Sequence, residues 1–281
     1  TSNTSILVCI LIYFFTLKIL YLCFAPPLPD EAYYWLWAQR IDLSFYDHPP
    51  LSMWVQSLFS TISSNKYFLI RVVPTLSLLF VMSLGLYWMK VGGLLINVND
   101  YLKFLLLLLS IPAINVFLTI SFPDPILICM LLTSGFFFSS YLESEKSSNP
   151  NQYYFWYLSV GFFGLALLSK YNAILFGLGI LIFLVLSKKP KNNILYTRHF
   201  FLSILFILFI FYPVIFWNVK NDYASLGFNL NKRLDFKLDW IDFLRNATVF
   251  ILSVIVSFSP ILVLNIMRLN KTMIANDGPF P

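Results

Sequence analysis

Long apolar runs recur along this chain and limit what it can fold into. About 20 mostly apolar residues are needed for a helix that crosses a bilayer. Runs of this kind lie near 5–25, 67–89, 101–121, 125–142, 153–169, 171–187, 200–217 and 243–268. Only 11% of the residues are charged, against about 25% in soluble domains. The sequence therefore predicts an all-α polytopic membrane protein with about eight transmembrane helices. The fifth and sixth runs are short and share a polar break at 169–172, so a re-entrant or tightly turned pair is an alternative there.

Charged residues give these runs an expected orientation. The short basic loop 188–191, followed by Arg198, is assigned to the cytoplasm by the positive-inside rule. Counting crossings from this loop puts both termini inside and four segments outside: residues 26–66, 120–124, the region near 170, and 218–242. The net charge of +6 is spread among the spans without a continuous basic stripe. It therefore favours membrane lipids over nucleic acid as partners.

One stretch, residues 29–50, differs from the rest of the chain in its chemistry. It brings adjacent carboxylates, aromatic side chains, a histidine and prolines into the first outer loop. A proline directly before Asp30 favours a helix start, so a short helix is expected along the membrane surface. Adjacent helical residues point about 100° apart, so Asp30 should share a face with Tyr34, and Glu31 a face with Trp35. The two carboxylates are therefore expected to have different roles.

Asp30 can be explained in two ways. It can be a plain N-cap, which would only satisfy backbone N–H groups at the helix start, or it can be a functional carboxylate. A second acidic and aromatic cluster at 46–50 favours the functional explanation, as does the lone Asp124 between two prolines at the outer end of a span. Capping alone does not require three acids on one membrane face.

Two further side chains also have alternative explanations. His48 can be a metal ligand or proton carrier, or simply a hydrogen-bonded loop residue. Lys170 lies at the junction of two runs, where it can meet a phosphate or extend to the lipid headgroups. A divalent cation remains an open alternative, because one or two loop carboxylates do not define a cation site.

Four ordered stretches resemble a known family. They read PDEAYYWLWAQRIDLSFYDHPPL at 29–51, SFPDPILICMLL at 121–132, GLALLSKYNAILFGLGIL at 164–181 and YPVIFWNVKNDYASLGFNLNKR at 212–233. Together they resemble bacterial members of the protein-mannosyltransferase-like family of polyprenyl-phosphate-sugar glycosyltransferases. This family includes the lipid A aminoarabinose and galacturonic acid transferases. The resemblance runs from about residue 1 to 270.

The resemblance implies a GT-C-type helix bundle whose first outer loop, residues 26–66, carries amphipathic helices. Residues 1–270 would form the transmembrane catalytic domain, and 271–281 a short cytoplasmic tail. Family members usually extend further, so the chain is expected to lack their C-terminal half. The implied activity is transfer of a sugar from a polyprenyl phosphate to an envelope acceptor, at the outer face of a bacterial inner membrane.

The same resemblance implies roles for individual residues. The proposed catalytic carboxylate falls on Asp30, with Glu31 beside it as a second expected catalytic residue. The second-loop acid falls on Asp124, and the lysine near the lipid phosphate on Lys170. The expected substrate-binding residues are Tyr34, Tyr46, Asp47, His48, Asp124, Lys170, Tyr171, Asn218 and Arg233.

The expected chemistry is a direct displacement with inversion at the anomeric carbon. The leaving phosphate departs as an anion and needs no general acid, so one base suffices. Asp30 would accept the acceptor proton, while Lys170, with Arg233 or a divalent ion, would stabilise the departing phosphate. The sugar stays undetermined, and the acceptor can be a lipid A-like glycolipid, a polysaccharide or a protein.

Other functions remain alternatives. A transporter or lipid flippase should place ionisable residues near the bilayer midplane in paired halves. Here the acids lie in outer loops, no internal repeat stands out, and the nearest intramembrane charges are Lys18 and Arg71. An oligosaccharide polymerase or ligase that uses a lipid-linked substrate is a nearer alternative, and an inactive fragment is a third.

Overall fold

The computed structural model describes residues 2–60, 69–94, 97–147, 149–187, 194–232 and 240–257. Within these ranges the regular structure is helical, without strands. The α-helices are α1 (Ser2–Phe24), α2 (Pro29–Ala38), α3 (Leu51–Ser57), α4 (Val72–Val91), α5 (Val98–Ser110), α6 (Pro112–Phe117), α7 (Asp124–Lys146), α8 (Gln152–Ser169), α9 (Ile174–Leu186), α10 (Arg198–Lys220), α11 (Ala224–Gly227) and α12 (Trp240–Ser257). Short 3₁₀ turns cover Tyr171–Ala173 and Ile194–Tyr196, and a π-turn covers Phe228–Lys232.

The all-α polytopic class predicted from the sequence is confirmed. Among the described residues, α4, α7, α10 and the Thr4–Phe24 part of α1 are long and apolar enough to cross a membrane. The apolar segment Tyr171–Leu186 is shorter, and α9 begins only after a 3₁₀ turn. The sixth predicted run is thus shorter than a regular span of about 20 residues.

The third predicted run, 101–121, is wrong as one continuous helix. Helix α5 ends at Ser110, Ile111 is extended, and α6 begins at Pro112. The proline ring disfavours helical backbone in the preceding residue, which explains the break. The eighth predicted run, 243–268, lies partly outside the described residues, and α12 is described only to Ser257.

The chain divides into two compact units. The first comprises Thr1–Phe15, Asn97–Val116 and Asp235–Pro281, and the second comprises Thr16–Ile96 and Phe117–Leu234. In the first unit, a capping box begins α5: Asn97 Oδ1 accepts the Asp100 N–H at 3.1 Å, and Asp100 Oδ2 accepts the Asn97 N–H at 3.1 Å. Of the segments expected on the outer face, residues 26–60, 120–124, the region near 170 and 218–232 belong to the second unit, and the described residues 240–242 belong to the first.

Helices α7 and α8 form the central pair of the second unit. Ser134 on α7 and Ser159 on α8 exchange hydrogen bonds: each hydroxyl donates to the other residue's carbonyl, at 2.8 and 2.9 Å. Small residues and interhelical hydrogen bonds of this kind allow membrane helices to approach closely. The close contact between α8 and α10 also leaves little room for a side chain at Gly164, because an added Cβ would lie 2.8 Å from Cδ1 of Ile210 on α10.

The end of α8 is set by an abrupt change in backbone direction. Lys170 is extended, with φ −155° and ψ 134°, between α8 and the following 3₁₀ turn. This break coincides with the polar 169–172 break in the sequence. It brings Lys170 to the start of α7, where the candidate site is built.

Candidate functional site

Residues 26–60, 120–124, the region near 170 and 218–232, all from the predicted outer segments, meet at one end of the second unit. The first loop contacts the segment before α7 through Glu31 and Ser121, and it contacts the end of α10 through Asp42 and Trp217. Helix α3 also packs against α8. Counting membrane crossings predicts one face for these segments, and which side of the membrane they face stays a prediction.

Glu31 is fully buried and lies at the centre of this end of the unit. Its carboxylate accepts hydrogen bonds from Arg71 Nε at 3.1 Å and Arg71 Nη2 at 2.9 Å. It also accepts the backbone N–H groups of Leu28 and Ser121, each at 2.9 Å. The bond to Leu28 fastens the start of α2, and the bond to Ser121 fastens the segment that leads into α7. One carboxylate therefore connects two of the predicted outer segments.

Arg71 completes the same network from the start of α4. Its guanidinium, 1% exposed, donates to the carbonyl oxygens of Tyr21 and Ala25 at 3.0 and 2.8 Å, and to that of Pro26 at 3.0 Å. It also lies 4.2 Å from the centre of the Tyr21 ring. These carbonyls belong to the end of α1 and the turn after it. The Tyr21 carbonyl also accepts the Ala25 N–H at 3.1 Å, so the acceptors that the helix terminus leaves open for Arg71 are those of Ala25 and Pro26.

The ionisation of Glu31 reflects these contacts. Burial opposes the charged form, but the hydrogen bonds from Arg71, Leu28 and Ser121 outweigh it and hold the pKa of Glu31 below its ordinary value. An acid whose ionised form is stabilised in this way is a weak base. The contacts of Glu31 are therefore those of a residue that holds neighbouring segments together.

Asp30, the neighbour of Glu31, has a different environment. It lies in the first turn of α2 and is exposed. The N-cap position is occupied by Leu28, and the carboxylate that caps its N–H belongs to Glu31. The N-cap explanation of Asp30 is therefore wrong. The expectation that the two carboxylates face different ways is confirmed, since one is buried and the other is open to solvent.

The charges of the three acids expected on one face all act on Tyr34. Burial raises the pKa of the Tyr34 phenol, and the charges of three nearby carboxylates raise it further: Asp47, Asp30 and Asp124. The neighbouring phenol of Tyr33 responds similarly, since burial, Asp47, Asp30 and Tyr46 raise its pKa to about 12. Both phenols stay protonated and can donate hydrogen bonds at this acidic site.

Aromatic rings hold Tyr34 in place between two of the predicted outer segments. Its ring meets the His48 ring edge-on at 5.3 Å and the Phe122 ring edge-on at 5.9 Å. Such edge-to-face contacts favour a defined ring orientation. Tyr34 therefore bridges the 46–50 cluster and the segment before α7.

Asp47 and His48 form a close contact without an ordinary hydrogen bond. His48 Nδ1 lies 3.0 Å from Asp47 Oδ1, with 7% and 15% of the two side chains exposed. Their relative direction does not meet hydrogen-bond geometry, and among the described residues neither atom has another hydrogen-bond partner. Buried polar atoms left in this state are costly. The pair can therefore gain stabilisation from a polar group of a bound molecule.

Lys170 and Asp124 form an ion pair. Lys170 Nζ lies 2.8 Å from Asp124 Oδ1 and 2.9 Å from Oδ2, and the side chains are 24% and 12% exposed. Asp124 is the first residue of α7, where the helix dipole also favours a negative charge. The sequence placed these two residues on the same face but did not identify them as partners.

Tyr171 and Asn218 belong to a second polar cluster next to these acids. The Tyr171 hydroxyl lies 2.7 Å from the Ser225 hydroxyl. Asn218, which is buried, accepts the Leu226 N–H at 3.1 Å and donates to the Val214 carbonyl at 2.9 Å. The side-chain oxygen of Asn218 thus fixes the turn after α10, while its amide nitrogen bonds back within α10.

This turn also contacts the first loop directly. Asn229 Nδ2 donates to the Asp47 carbonyl at 3.3 Å, and the Tyr46 ring lies 4.8 Å from the Phe228 ring. Asp222 and Tyr223 have left-handed backbone, with φ of 52° and 56°, which is uncommon outside glycine. Tyr46 is 42% exposed, so it remains open to a ligand.

Sequence reasoning missed several residues that shape the site: Ser52, Arg71 as the partner of Glu31, Ser121, Ser169, Ser225 and Asn229. Their partners are 40 to 182 positions away in sequence. For the serines no local pattern distinguishes them from others in the chain. A charge within an apolar segment did signal Arg71, and Lys18, the other such charge, is buried and donates to the Thr119 hydroxyl.

The remaining predictions concern Arg233 and a cation. Arg233 lies outside the described residues. In the part of the chain that the structure describes, no group of three or more His, Cys, Asp or Glu side chains is arranged to hold a metal ion.

Comparison with known proteins places the chain in a family. A stretch of 48 residues, 17% of the chain, is 42% identical to the lipid A galacturonosyltransferase RgtD of Rhizobium johnstonii. That alignment covers 10% of the relative, so the chain matches only a small part of its length. No solved structure matches the chain. The model of the dolichyl-phosphate-mannose-protein mannosyltransferase family matches residues 47–217, more than half of the chain. The chain belongs to the dolichyl-phosphate-mannose-protein mannosyltransferase family.

Proposed function

We propose that this chain is a membrane glycosyltransferase that moves a sugar from a polyprenyl-phosphate donor to an acceptor hydroxyl on the outer face of a bacterial inner membrane. One observation carries the proposal: the charges of three carboxylates, Asp30, Asp47 and Asp124, act on the Tyr34 phenol, and a lysine is paired with one of them. Membership of the mannosyltransferase family supports the reaction class. The name of the rhizobial relative supports a lipid A-like glycolipid as one candidate acceptor.

The proposed reaction forms one bond and breaks another at the anomeric carbon. The acceptor oxygen attacks the anomeric carbon while the bond between this carbon and the phosphate oxygen breaks, so the configuration inverts. The acceptor loses a proton, and the lipid phosphate leaves with the bonding electrons as an anion. A base on the acceptor side and a cation on the phosphate side meet these requirements.

Asp30 is the carboxylate best placed to be the base. Asp124 is paired with Lys170 and Asp47 contacts His48, whereas Asp30 is exposed and has no hydrogen bond or ion pair within the described residues. Its lone pairs are therefore free to accept a proton. Glu31, beside it, fixes the start of α2 and thereby the position of Asp30.

Lys170 is the proposed cation for the donor phosphate. It is partly exposed, and it sits where the break after α8 meets the start of α7. In the absence of donor its ammonium is held by Asp124. A phosphate would take over these contacts, which would release the Asp124 carboxylate towards the sugar.

Other side chains around the acids are proposed to bind the sugar or the acceptor. Tyr34 can donate a hydrogen bond, and the exposed ring of Tyr46 offers a surface for a sugar face. Asp47 and His48 have polar atoms that lack hydrogen-bond partners among the described residues. Tyr171, Asn218 and Arg233 complete the proposed substrate-binding set.

The transfer itself is tested by mass spectrometry of envelope glycolipids and glycoproteins. Cells that express the chain should show a molecule heavier by one sugar unit, and cells without the chain should not. The acceptor class follows from the molecule that gains mass. If the chain is stably inserted and no glycolipid, polysaccharide or protein gains a sugar, the proposed activity of this chain is wrong.

Replacing Lys170 with methionine should weaken the use of donor. A charged hydrogen bond contributes about 1.5–3 kcal/mol, so the KM for the polyprenyl-phosphate sugar should rise about 10- to 100-fold. Lys170→Arg keeps the charge and should lose less. The matched control is Lys220→Met, at the exposed end of α10, which should behave as wild type. An unchanged donor KM in Lys170→Met would remove Lys170 from the phosphate site.

A further inference from the structure

Two buried serine hydroxyls meet at one backbone oxygen beside the candidate site. Ser169 Oγ donates to the Pro123 carbonyl at 2.8 Å, and Ser52 Oγ lies 2.8 Å from Ser169 Oγ and 3.3 Å from the same carbonyl. Ser169 is fully buried, and Ser52 is 8% exposed. Each hydroxyl has one proton to donate. The shorter distances therefore indicate that the Ser52 hydroxyl donates to the Ser169 hydroxyl, which in turn donates to the Pro123 carbonyl.

The two serine hydroxyls lie beside the Lys170–Asp124 ion pair. Pro123 directly precedes Asp124, and Ser169 directly precedes Lys170. Ser52 comes from α3 in the first outer loop. Both charged residues lie at helix ends, and the backbone changes direction at Lys170. The hydroxyl contacts thus join the two backbone segments whose separation sets the distance between Lys170 Nζ and the Asp124 carboxylate.

We propose that Ser169 is a positioning residue for the Lys170–Asp124 pair, supported by Ser52. By fixing the end of α8 to the start of α7, it holds the ammonium against the carboxylate in a geometry that a donor phosphate can enter. The structural part of this inference stands by itself. The consequence for donor binding rests on the proposed function.

The structural part is tested by the chemical reactivity of Lys170. The purified chain in detergent is treated briefly with acetic anhydride, and acetylation of the peptide that contains Lys170 is quantified by mass spectrometry. An amine held by a carboxylate reacts slowly, and Asp124→Asn sets the rate for an unpaired amine. Loss of one hydrogen bond changes an equilibrium about fivefold, so Ser169→Ala should raise Lys170 acetylation about fivefold.

A matched control is available on the same helix. Ser159 of α8 is buried and donates to a carbonyl of α7, as Ser169 does to Pro123, but it lies away from the site. Ser159→Ala should leave Lys170 acetylation at the wild-type rate. Ser52→Ala acts through Ser169 and should give an intermediate rate, which provides a second variant if Ser169→Ala does not fold. Equal Lys170 acetylation in the Ser52 and Ser159 variants, or in the Ser169 and Ser159 variants, would overturn the proposal.

Transfer kinetics separate this inference from the proposed function. If both are right, Ser169→Ala should raise the donor KM about fivefold and change kcat much less, whereas Ser159→Ala should change neither. If the acetylation rates follow the expected order but the wild-type chain transfers no sugar, the proposed function is wrong and Ser169 still positions the pair. If the wild type is active and Ser169→Ala keeps its donor KM and Lys170 reactivity, the positioning role is wrong.

Discussion

Replacing Asp30 with asparagine should lower the rate of sugar transfer about 10²- to 10⁴-fold, the usual contribution of a general base. The amide has the shape of the carboxylate but cannot accept the acceptor proton. Because Asp30 is exposed and has no hydrogen bond or ion pair among the described residues, the fold should not change. Initial rates are compared at equal amounts of membrane-inserted protein, and the loss should appear in kcat.

Asp222→Asn is the matched control for this substitution. Asp222 is another exposed aspartate of the second unit, near the predicted outer face, and its left-handed backbone suits asparagine as well as aspartate. It should keep wild-type turnover. If Asp30→Asn keeps more than half of the turnover, the base is another group. Asp47, which also lies near Tyr34, would then be the carboxylate to replace next.

The helices were predictable because their signal is local. Apolar runs gave the spans near α1, α4, α7 and α10, and the proline before Asp30 gave the start of α2. The polar break at 169–172 also marked the end of α8. Each of these features depends on neighbouring residues alone, so a sequence can reveal it. The break at Ile111 was also local, and attention to Pro112 would have found it.

The contacts of the site were not predictable in the same way. Helical geometry showed that Asp30 and Glu31 face different ways, but it could not show which side faces the protein. The partner of Glu31 is 40 residues away, and the hydroxyl partner of Ser52 is 117 residues away. These pairs form only when helices pack, and many other serines and charges could have satisfied the same chemistry.

Loss of the Glu31 charge should destabilise the protein strongly. Glu31→Gln leaves the Arg71 guanidinium charged, buried and without its carboxylate, and breaking a buried pair in this way costs about 3–5 kcal/mol. Glu31 and Arg71 are 0% and 1% exposed, so solvent screens the pair little. Unfolding in mixed detergent and denaturant should show this loss as an earlier transition.

Acidification should lower the stability of the wild-type protein. The pKa of Glu31 is lower in the folded chain than its ordinary value of 4.5. Its contribution to stability is therefore full above the ordinary value and is lost as the pH falls through the lowered folded value. Wild type should lose stability on acidification in this range, and Glu31→Gln should lose less of it because the group that titrates is gone.

An exposed ion pair provides the control for burial. Arg245 and Asp242 lie 2.7 Å apart on α12, with side chains 68% and 48% exposed. Such exposed pairs contribute little to stability, so Asp242→Asn should barely move the transition. A similar loss for Asp242→Asn and Glu31→Gln would mean that removal of charge in general, rather than burial of this pair, weakens the protein.

A double-mutant cycle distinguishes an interaction between Glu31 and Arg71 from two separate roles. Arg71→Met alone should also be costly, because three carbonyls and the Glu31 carboxylate lose a donor. Combined with Glu31→Gln, it removes both charges, so the double variant should be more stable than the sum of the single losses implies, by about 0.5–3 kcal/mol. Strictly additive losses would show that the two residues stabilise the protein independently. A coupling of the expected size, with Asp30 unchanged, would show that the acid beside the proposed base serves to hold the outer segments in place.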